Sequence, residues 1–412
     1  MGPSRVDFLN AVTAVILDEG FVMAQKYLPA GDLLKQLKQN ASGLLENATG
    51  AEPALYWNKD IAASEDHNIF RKDWVCPGLA AEIPNQGDYL TFSIAGEPIF
   101  CIRNSSGDIK TYSHACRHRM MLLLEGTGTV SKVVCPYHAW TYDLSGELVG
   151  AGHMEKSKGF DKKNICLPKI RTEIWNGWIY VTLNPTAMSV SDALSPLHNV
   201  VQRYRMEKYV PVLSENHVWK TNWKLLTENF MEGYHLPIAH KATVGAWFSA
   251  KETVFPTDTY DSFTYQTFLK TGNPIYGQAY PDNTSLRGKW RNTSVLPTVF
   301  PTHMYVLAPD HLWYLSLRPK GVGEVDIRFG VAIAPEVDPI VSDPDKRTSW
   351  IESLVEFFEH VNSEDRQVIE SIYEGSRSSF AAPGPLSWLE REIHDFQKYL
   401  TRRLVPTHKN IV

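Results

Sequence analysis

The sequence predicts an α+β protein in which a small all-β domain precedes a C-terminal α+β domain with an antiparallel sheet flanked by helices. From about residue 70 to 184, short β-branched and aromatic runs such as 89–94 and 178–182 alternate with Gly-containing turns, as strands and hairpins do. After a polar, proline-marked segment at 184–189, the texture changes to a helix over 223–234, a strand-rich stretch over 253–334 and a strong helix over 348–374. The chain has 412 residues, more than one module at roughly 100–200 residues per domain.

The expected organisation is a helical arm at 1–65, an all-β domain at 66–186 and an α+β domain at 187–412. Residues 6–45 are helix-compatible, with apolar residues at i, i+3 and i+4 over 31–37 after a capping Asp32.

Apolar residues make up 43% and charged residues 21%, ordinary for a folded globular chain and unlike a disordered one. The formal charge of −5 is spread without long like-charge runs, so neither nucleic acid nor an anionic membrane is an expected partner. The apolar stretch 6–22 is interrupted by Asp7, Asn10, Asp18 and Glu19, which neither a signal peptide nor a membrane span tolerates well. A cytoplasmic location is therefore expected, and Asn-X-Ser/Thr triplets such as those at Asn40 and Asn292 read as chance. Five cysteines are an odd number for a disulfide scaffold and point instead to metal or redox use.

Cys116-Arg117-His118 is followed by Cys135-Pro136-Tyr137-His138 in the β-rich half. Two Cys and two His could hold one tetrahedral zinc. A single residue between Cys116 and His118 is too tight to wrap around one ion, whereas a two-iron, two-sulfur cluster offers a second iron. One iron then takes both Cys and the other both His, the Rieske ligand set. Two hairpin tips would present them. Cys76, Cys101 and Cys166 lack a His at motif spacing and are expected to be small buried residues.

The second informative stretch runs Asn222-Trp223-Lys224 through Glu228-Asn229-Phe230-Met231-Glu232-Gly233-Tyr234-His235 to His240. On a regular helix His235 and His240 would diverge by about 140°. Pro237 is expected to break the helix between them so that both can face one ion. A cluster that donates single electrons needs an acceptor, and a non-haem iron held by two His and one carboxylate suits that role. Asp365, on the late helix, is the best carboxylate candidate, with Glu364 and Glu370 as competitors that read as exposed helix charges. Fourteen aromatic residues fall in the 71 positions 245–315, about twice the chain-wide 11%. Most should pack the sheet, and a few could line an apolar pocket able to hold a cation.

From residue 66 onward the motif order resembles the catalytic α subunit of Rieske non-haem iron oxygenases. The resemblance implies a [2Fe–2S] cluster on Cys116, His118, Cys135 and His138, and a mononuclear Fe(II) on His235, His240 and Asp365. It implies O2 as co-substrate, a separate flavin/iron–sulfur reductase supplying electrons from NAD(P)H, and a homotrimer. It also makes Glu232, three positions before the first histidine ligand, the acidic bridge that carries electrons between subunits. Asn229 and Tyr234 would support the ligands. Many aromatic-ring dioxygenases have Asp at the bridge. Glu232, the chain length and the absence of a fused reductase are similar instead to the quaternary-ammonium branch, which includes stachydrine (proline betaine) demethylase and the glycine betaine, choline and carnitine monooxygenases. The expected reaction is therefore N-methyl hydroxylation of a small quaternary ammonium substrate with loss of formaldehyde. The competing readings are hydroxylation of an aromatic acid, with Arg287, Arg291 or Arg318 reaching the pocket, and a simple electron-transfer protein without the second metal.

Overall fold

The computed structural model describes residues 28–270, 276–337 and 343–406. The expected helical character of 6–27 lies outside the described residues. The arm's described helix, Ala30–Ala41, buries Leu33 and Leu37 and packs against the C-terminal helix Arg391–Leu404. Pro29 precedes its first turn and Asp32 lies inside that turn, so Asp32 does not cap the helix. Its charge instead faces the positive end of the helix dipole.

The β-rich half forms a seven-stranded antiparallel sheet ordered Val75–Leu79, Trp178–Thr182, Lys169–Trp175, Ile109–Ser113, Glu97–Arg103, Asp88–Ile94 and Thr127–Thr129. A small three-stranded sheet, Val133–Val134, Thr141–Tyr142 and Leu148–Gly150, sits beside it with a separate apolar core that includes Phe100, Tyr112, Trp140 and Tyr142.

The second sheet also has seven antiparallel strands, ordered Val210–Trp219, Val325–Ile333, His311–Pro319, His303–Leu307, Thr293–Val299, Phe263–Leu269 and Thr253–Val254. Period-2 alternation along the strand His311–Pro319 gives this sheet two distinct faces. His311, Trp313 and Leu315 face a cavity beneath the helices. Tyr314 and Ser316 point the other way, where Tyr314 donates to Glu82 and Ser316 to the Cys76 carbonyl of the first domain. Arg328 pairs with Glu82 in the same contact, both side chains nearly inaccessible. Tyr180 Oη lies 2.8 Å from His303 Nδ1, and the Trp178 ring sits edge-on to Tyr314. One sheet thus separates the first domain from the cavity.

The long helix Pro344–Gly375 starts at an Asp343 cap with Pro344 in its first turn, earlier than the sequence suggested. Its buried stripe is Leu354, Phe358, Val361, Asp365, Ile369 and Tyr373, at successive steps of three or four residues. Asp365 is thus a carboxylate on the apolar face of an amphipathic helix. No helix among the described residues is long and apolar enough to cross a membrane.

Candidate metal centres and substrate cavity

Two loops with the same backbone pattern present Cys116, His118, Cys135 and His138. Cys116 accepts from Met120 N at 2.9 Å, and Cys135 accepts from Ala139 N at 3.1 Å. Cys116 N donates to Met121 O and Cys135 N to Trp140 O. Met120 and Ala139 each adopt positive φ, 58° and 55°, which closes each turn in the left-handed region. Only the second loop is a hairpin tip, between Val133–Val134 and Thr141–Tyr142. The first is a longer excursion pinned by an Ala115–Leu122 bridge.

Both cysteines are buried and both histidines are exposed, with ring centroids 4.7 Å apart. His118 stacks on Trp140, and Tyr142 Oη lies 3.4 Å from Cys116 Sγ while accepting from Arg117 N. Met120, Met121, Leu122, Val134 and Tyr137 expose apolar surface around this edge. Among the described residues, the group whose ligand atoms all lie within 4.8 Å is His235, His240 and Asp365. The four loop residues form no such single-ion group, which suits a two-iron cluster and not a lone zinc. Cys76 and Cys101 are buried as expected, but Cys166 is exposed.

In the second domain the helix Trp223–Phe230, capped by Asn222, stops before Glu232. Beyond its end Gly233 lies against the rings of Phe248 and Phe268, where a Cβ would come within 2.7 Å of Phe248. A new short helix, Leu236–Ala239, begins with Pro237 in its first turn, and its flanking positions are His235 and His240. The break therefore precedes both histidines, and Pro237 starts a helix instead of interrupting one. A single helical turn brings the two rings to 5.1 Å.

Asp365 Oδ1 lies 3.1 Å from His240 Nε2 and 3.7 Å from His235 Nε2. The opposite ring nitrogens are held by carboxylates too. Glu364 Oε2 is 2.8 Å from His240 Nδ1 and also accepts from Thr243, and Glu232 contacts His235 Nδ1. Glu364 is thus neither an exposed helix charge nor a ligand candidate, because it orients His240 from behind. Glu370 is bonded to Lys220 N and Arg366. Burial would lower the His240 pKa, but Asp365 and Glu364 outweigh it and hold the pKa above the ordinary value. Two imidazoles facing one carboxylate, with two more carboxylates behind, favour a divalent cation. Glu232 also accepts from the Tyr234 and His235 backbone N–H groups, while the Tyr234 ring is exposed. Asn229 lines the cavity with no hydrogen bond to either histidine.

A cavity of about 120 Å³ opens on this triad, with aromatic walls that include Phe230, Trp247, Phe268, Tyr276, Trp313 and Phe357. Trp247 stacks on Phe357 at 5.5 Å. The cavity also reaches Lys270 and His311, which sequence reasoning did not single out. Lys270 Nζ donates to Tyr276 O at 3.3 Å, and burial lowers its pKa while Asp310 partly restores it. Asp310 holds His311 Nδ1 at 2.7 Å. Arg287, Arg291 and Arg318, the candidates under the aromatic-acid reading, are not among its lining residues. Arg291 is bonded to backbone carbonyls at 279, 280, 283 and 286, and Arg318 pairs with Asp326.

The loop-borne Cys/His quartet, followed by a two-histidine, one-carboxylate centre beneath an antiparallel sheet, defines a protein that couples an iron–sulfur cluster to a single-metal centre. Two family models match in tandem: the Rieske [2Fe-2S] domain over residues 73–168 and the ring hydroxylating alpha subunit (catalytic domain) over 204–405. The chain belongs to the Rieske non-haem iron oxygenase α subunits, whose cofactors are the Rieske [2Fe–2S] cluster and a mononuclear non-haem iron.

The glycine betaine monooxygenase oxygenase subunit of Pseudomonas aeruginosa (strain UCBPP-PA14) is 31% identical over 217 residues, 52% of this chain and 50% of that one. The chain thus matches about half the length of this curated relative. The carnitine monooxygenase oxygenase subunit of Escherichia coli (strain K12) is 29% identical over 331 residues, 79% of this chain and 83% of that one. Among solved structures, a quaternary ammonium Rieske monooxygenase in complex with L-carnitine superposes with a TM-score of 0.73 at 22% identity, covering 91% and 99% of the two chains. Naphthalene 1,2-dioxygenase from Rhodococcus sp. bound to indole gives 0.74 at 20% identity, covering 91% and 98%. Fold likeness therefore does not discriminate between an ammonium and an aromatic substrate.

Proposed function

We propose that this chain is the oxygenase component of a monooxygenase that hydroxylates an N-methyl group of a quaternary ammonium acid, with proline betaine as the substrate. The observation that carries this reading is the cavity beside the triad, whose aromatic walls lead to one part-buried lysine, Lys270. Aromatic faces attract a quaternary ammonium through their quadrupoles. Lys270 suits the carboxylate of a zwitterion through a charge-assisted hydrogen bond. The names of the matched relatives, glycine betaine and carnitine monooxygenases, point the same way.

In this reading Cys116, His118, Cys135 and His138 would hold the cluster, and His235, His240 and Asp365 the iron, which supplies O2 activation beside the methyl group. The net reaction at the ammonium nitrogen is N+–CH3 + O2 + 2 e− + 2 H+ → N+–CH2OH + H2O, with its three other substituents unchanged. The hydroxymethyl ammonium then releases formaldehyde and a proton, leaving the tertiary amine. Glu232 and Glu364 fix the His235 and His240 rings so that each Nε2 faces Asp365. The aromatic walls exclude water from the methyl group and orient the cation. A separate flavin/iron–sulfur reductase drawing on NAD(P)H would supply the electrons.

A homotrimer is part of the proposal. The exposed His118 and His138 edge, ringed by apolar side chains, suits docking against a second copy, with Glu232 bridging the two centres.

Lys270 would pair equally well with an aromatic acid, so ring hydroxylation is the second reading. One assay separates them: the chemically reduced protein is mixed with O2 and, in turn, proline betaine, carnitine, choline and benzoate, and products are quantified. Formaldehyde from a betaine supports demethylation. Hydroxylated benzoate without formaldehyde would replace it with ring hydroxylation.

A further inference from the structure

A second cavity, of about 430 Å³, reaches the metal triad at His235 and shares only Asn229, Glu232 and His235 with the aromatic one. Its walls include Glu228, Glu390 and Tyr56. Glu228 is buried, with one carboxylate oxygen accepting from Tyr56 Oη at 2.8 Å and the other, Oε1, without any partner. An unpaired carboxylate oxygen in such a place is costly, and a proton on it or an adjacent water relieves the cost. A cavity of this size with several polar groups on its wall can hold water.

We infer that the second cavity is the proton entry to the metal centre, with Glu228 as the group that holds the proton and Tyr56 as its hydrogen-bonded partner. The inference rests on the proposed oxygenase reaction, in which reduction of O2 to hydroxylated product and water takes up two protons. The aromatic walls of the substrate cavity offer few groups to carry them. In the second cavity, Glu228–OH gives its proton to cavity water and is reprotonated from solvent through the same cavity, so Glu228 is unchanged over the cycle. Electrons come from the reduced cluster and none pass through Glu228.

The charged and titratable groups around Glu228 are Lys224 on its own helix, Tyr56 from the N-terminal arm and Glu390 from the segment before the last helix. Lys224 is tied up by Glu65 at 2.6 Å, so it does not pair with Glu228. Burial, followed by the opposing pull of Tyr56 and Lys224 and the push of Glu390, leaves the Glu228 carboxyl raised to about 7, where it can both keep and release a proton at neutral pH.

The test uses the full protein with both metals loaded. Infrared difference spectra are recorded as a function of pH, and oxygen consumption by the reduced protein is followed in H2O and D2O. The expected result is a carboxylic-acid band that titrates near pH 7 and disappears in Glu228→Gln. That variant should keep both metals but consume oxygen on the order of a hundredfold more slowly. Glu228→Asp should recover part of the rate, and the wild-type rate should fall as pH rises through about 7, a limb absent from Glu228→Gln. Tyr56→Phe removes a hydrogen bond that favours the ionised form, so band and rate limb should both move to higher pH. This variant decides the question if Glu228→Gln loses metal. Wild-type oxygen consumption in Glu228→Gln, or a band and limb unmoved by Tyr56→Phe, would overturn the inference. Loss of formaldehyde alone, with both Glu228 signals intact, would instead count against the substrate reading.

Discussion

Glu364 approaches His240 from the side opposite Asp365, its Oε2 2.8 Å from Nδ1 while Asp365 Oδ1 lies 3.1 Å from Nε2. Adjacent residues of one helix therefore grip the two nitrogens of one ring. Asp365→Ala is expected to abolish mononuclear iron binding, and Glu364→Ala to weaken it about 10- to 100-fold by freeing the ring. Both should keep the visible spectrum of the cluster. Iron per subunit, measured beside cluster absorbance, checks both variants.

Glu232 contacts His235 Nδ1 and accepts two backbone N–H groups, so Glu232→Gln preserves most of the geometry while removing the charge. Both metals should be retained and product formation should fall sharply. Stopped-flow reoxidation of the reduced cluster reads this directly: it should slow in the variant. Cluster reoxidation and turnover at wild-type rates would remove Glu232 from the electron path.

Lys270→Met is expected to weaken binding of a substrate that carries a carboxylate by about tenfold or more, since a charge-assisted bond contributes roughly 1.5–3 kcal/mol. Choline, which has no carboxylate, should bind equally well to both forms. Calorimetric titration with proline betaine and choline checks the difference.

The candidate metal residues stand out in the sequence because chemistry constrains them locally: Cys116, His118, Cys135 and His138 sit in two short motifs, and His235 and His240 in a third. Asp365 can be read because an acid interrupts the apolar stripe of a long helix. Glu364 reads as a solvated charge because its partners, His240 and Thr243, are more than 120 residues away in sequence, and Lys270 escapes notice because a lysine at a strand end ordinarily points to water. Backbone rules alone place the helix stop at Pro237. The helix ends earlier, at Phe230, and Gly233 beyond it packs under Phe248 and Phe268, a contact no local pattern announces.

His303 is held neutral in the contact between the two sheets, its pKa pushed down to about 3 by burial. An unfolded histidine titrates near 6.5, so the unfolded chain takes up a proton that the folded chain refuses. Stability from this site is intact above pH 6.5 and falls by about 1.4 kcal/mol per unit as the pH drops from 6.5 toward 3. His303→Phe should flatten that part of the urea-midpoint profile measured against pH.

The most direct test of the account is a single turnover of the reduced protein with O2 and proline betaine carrying 13C in its N-methyl groups. The account predicts labelled formaldehyde and N-methylproline in equal amounts. Oxygen consumed with neither product, or a hydroxylated proline betaine that keeps both methyl groups, would contradict it.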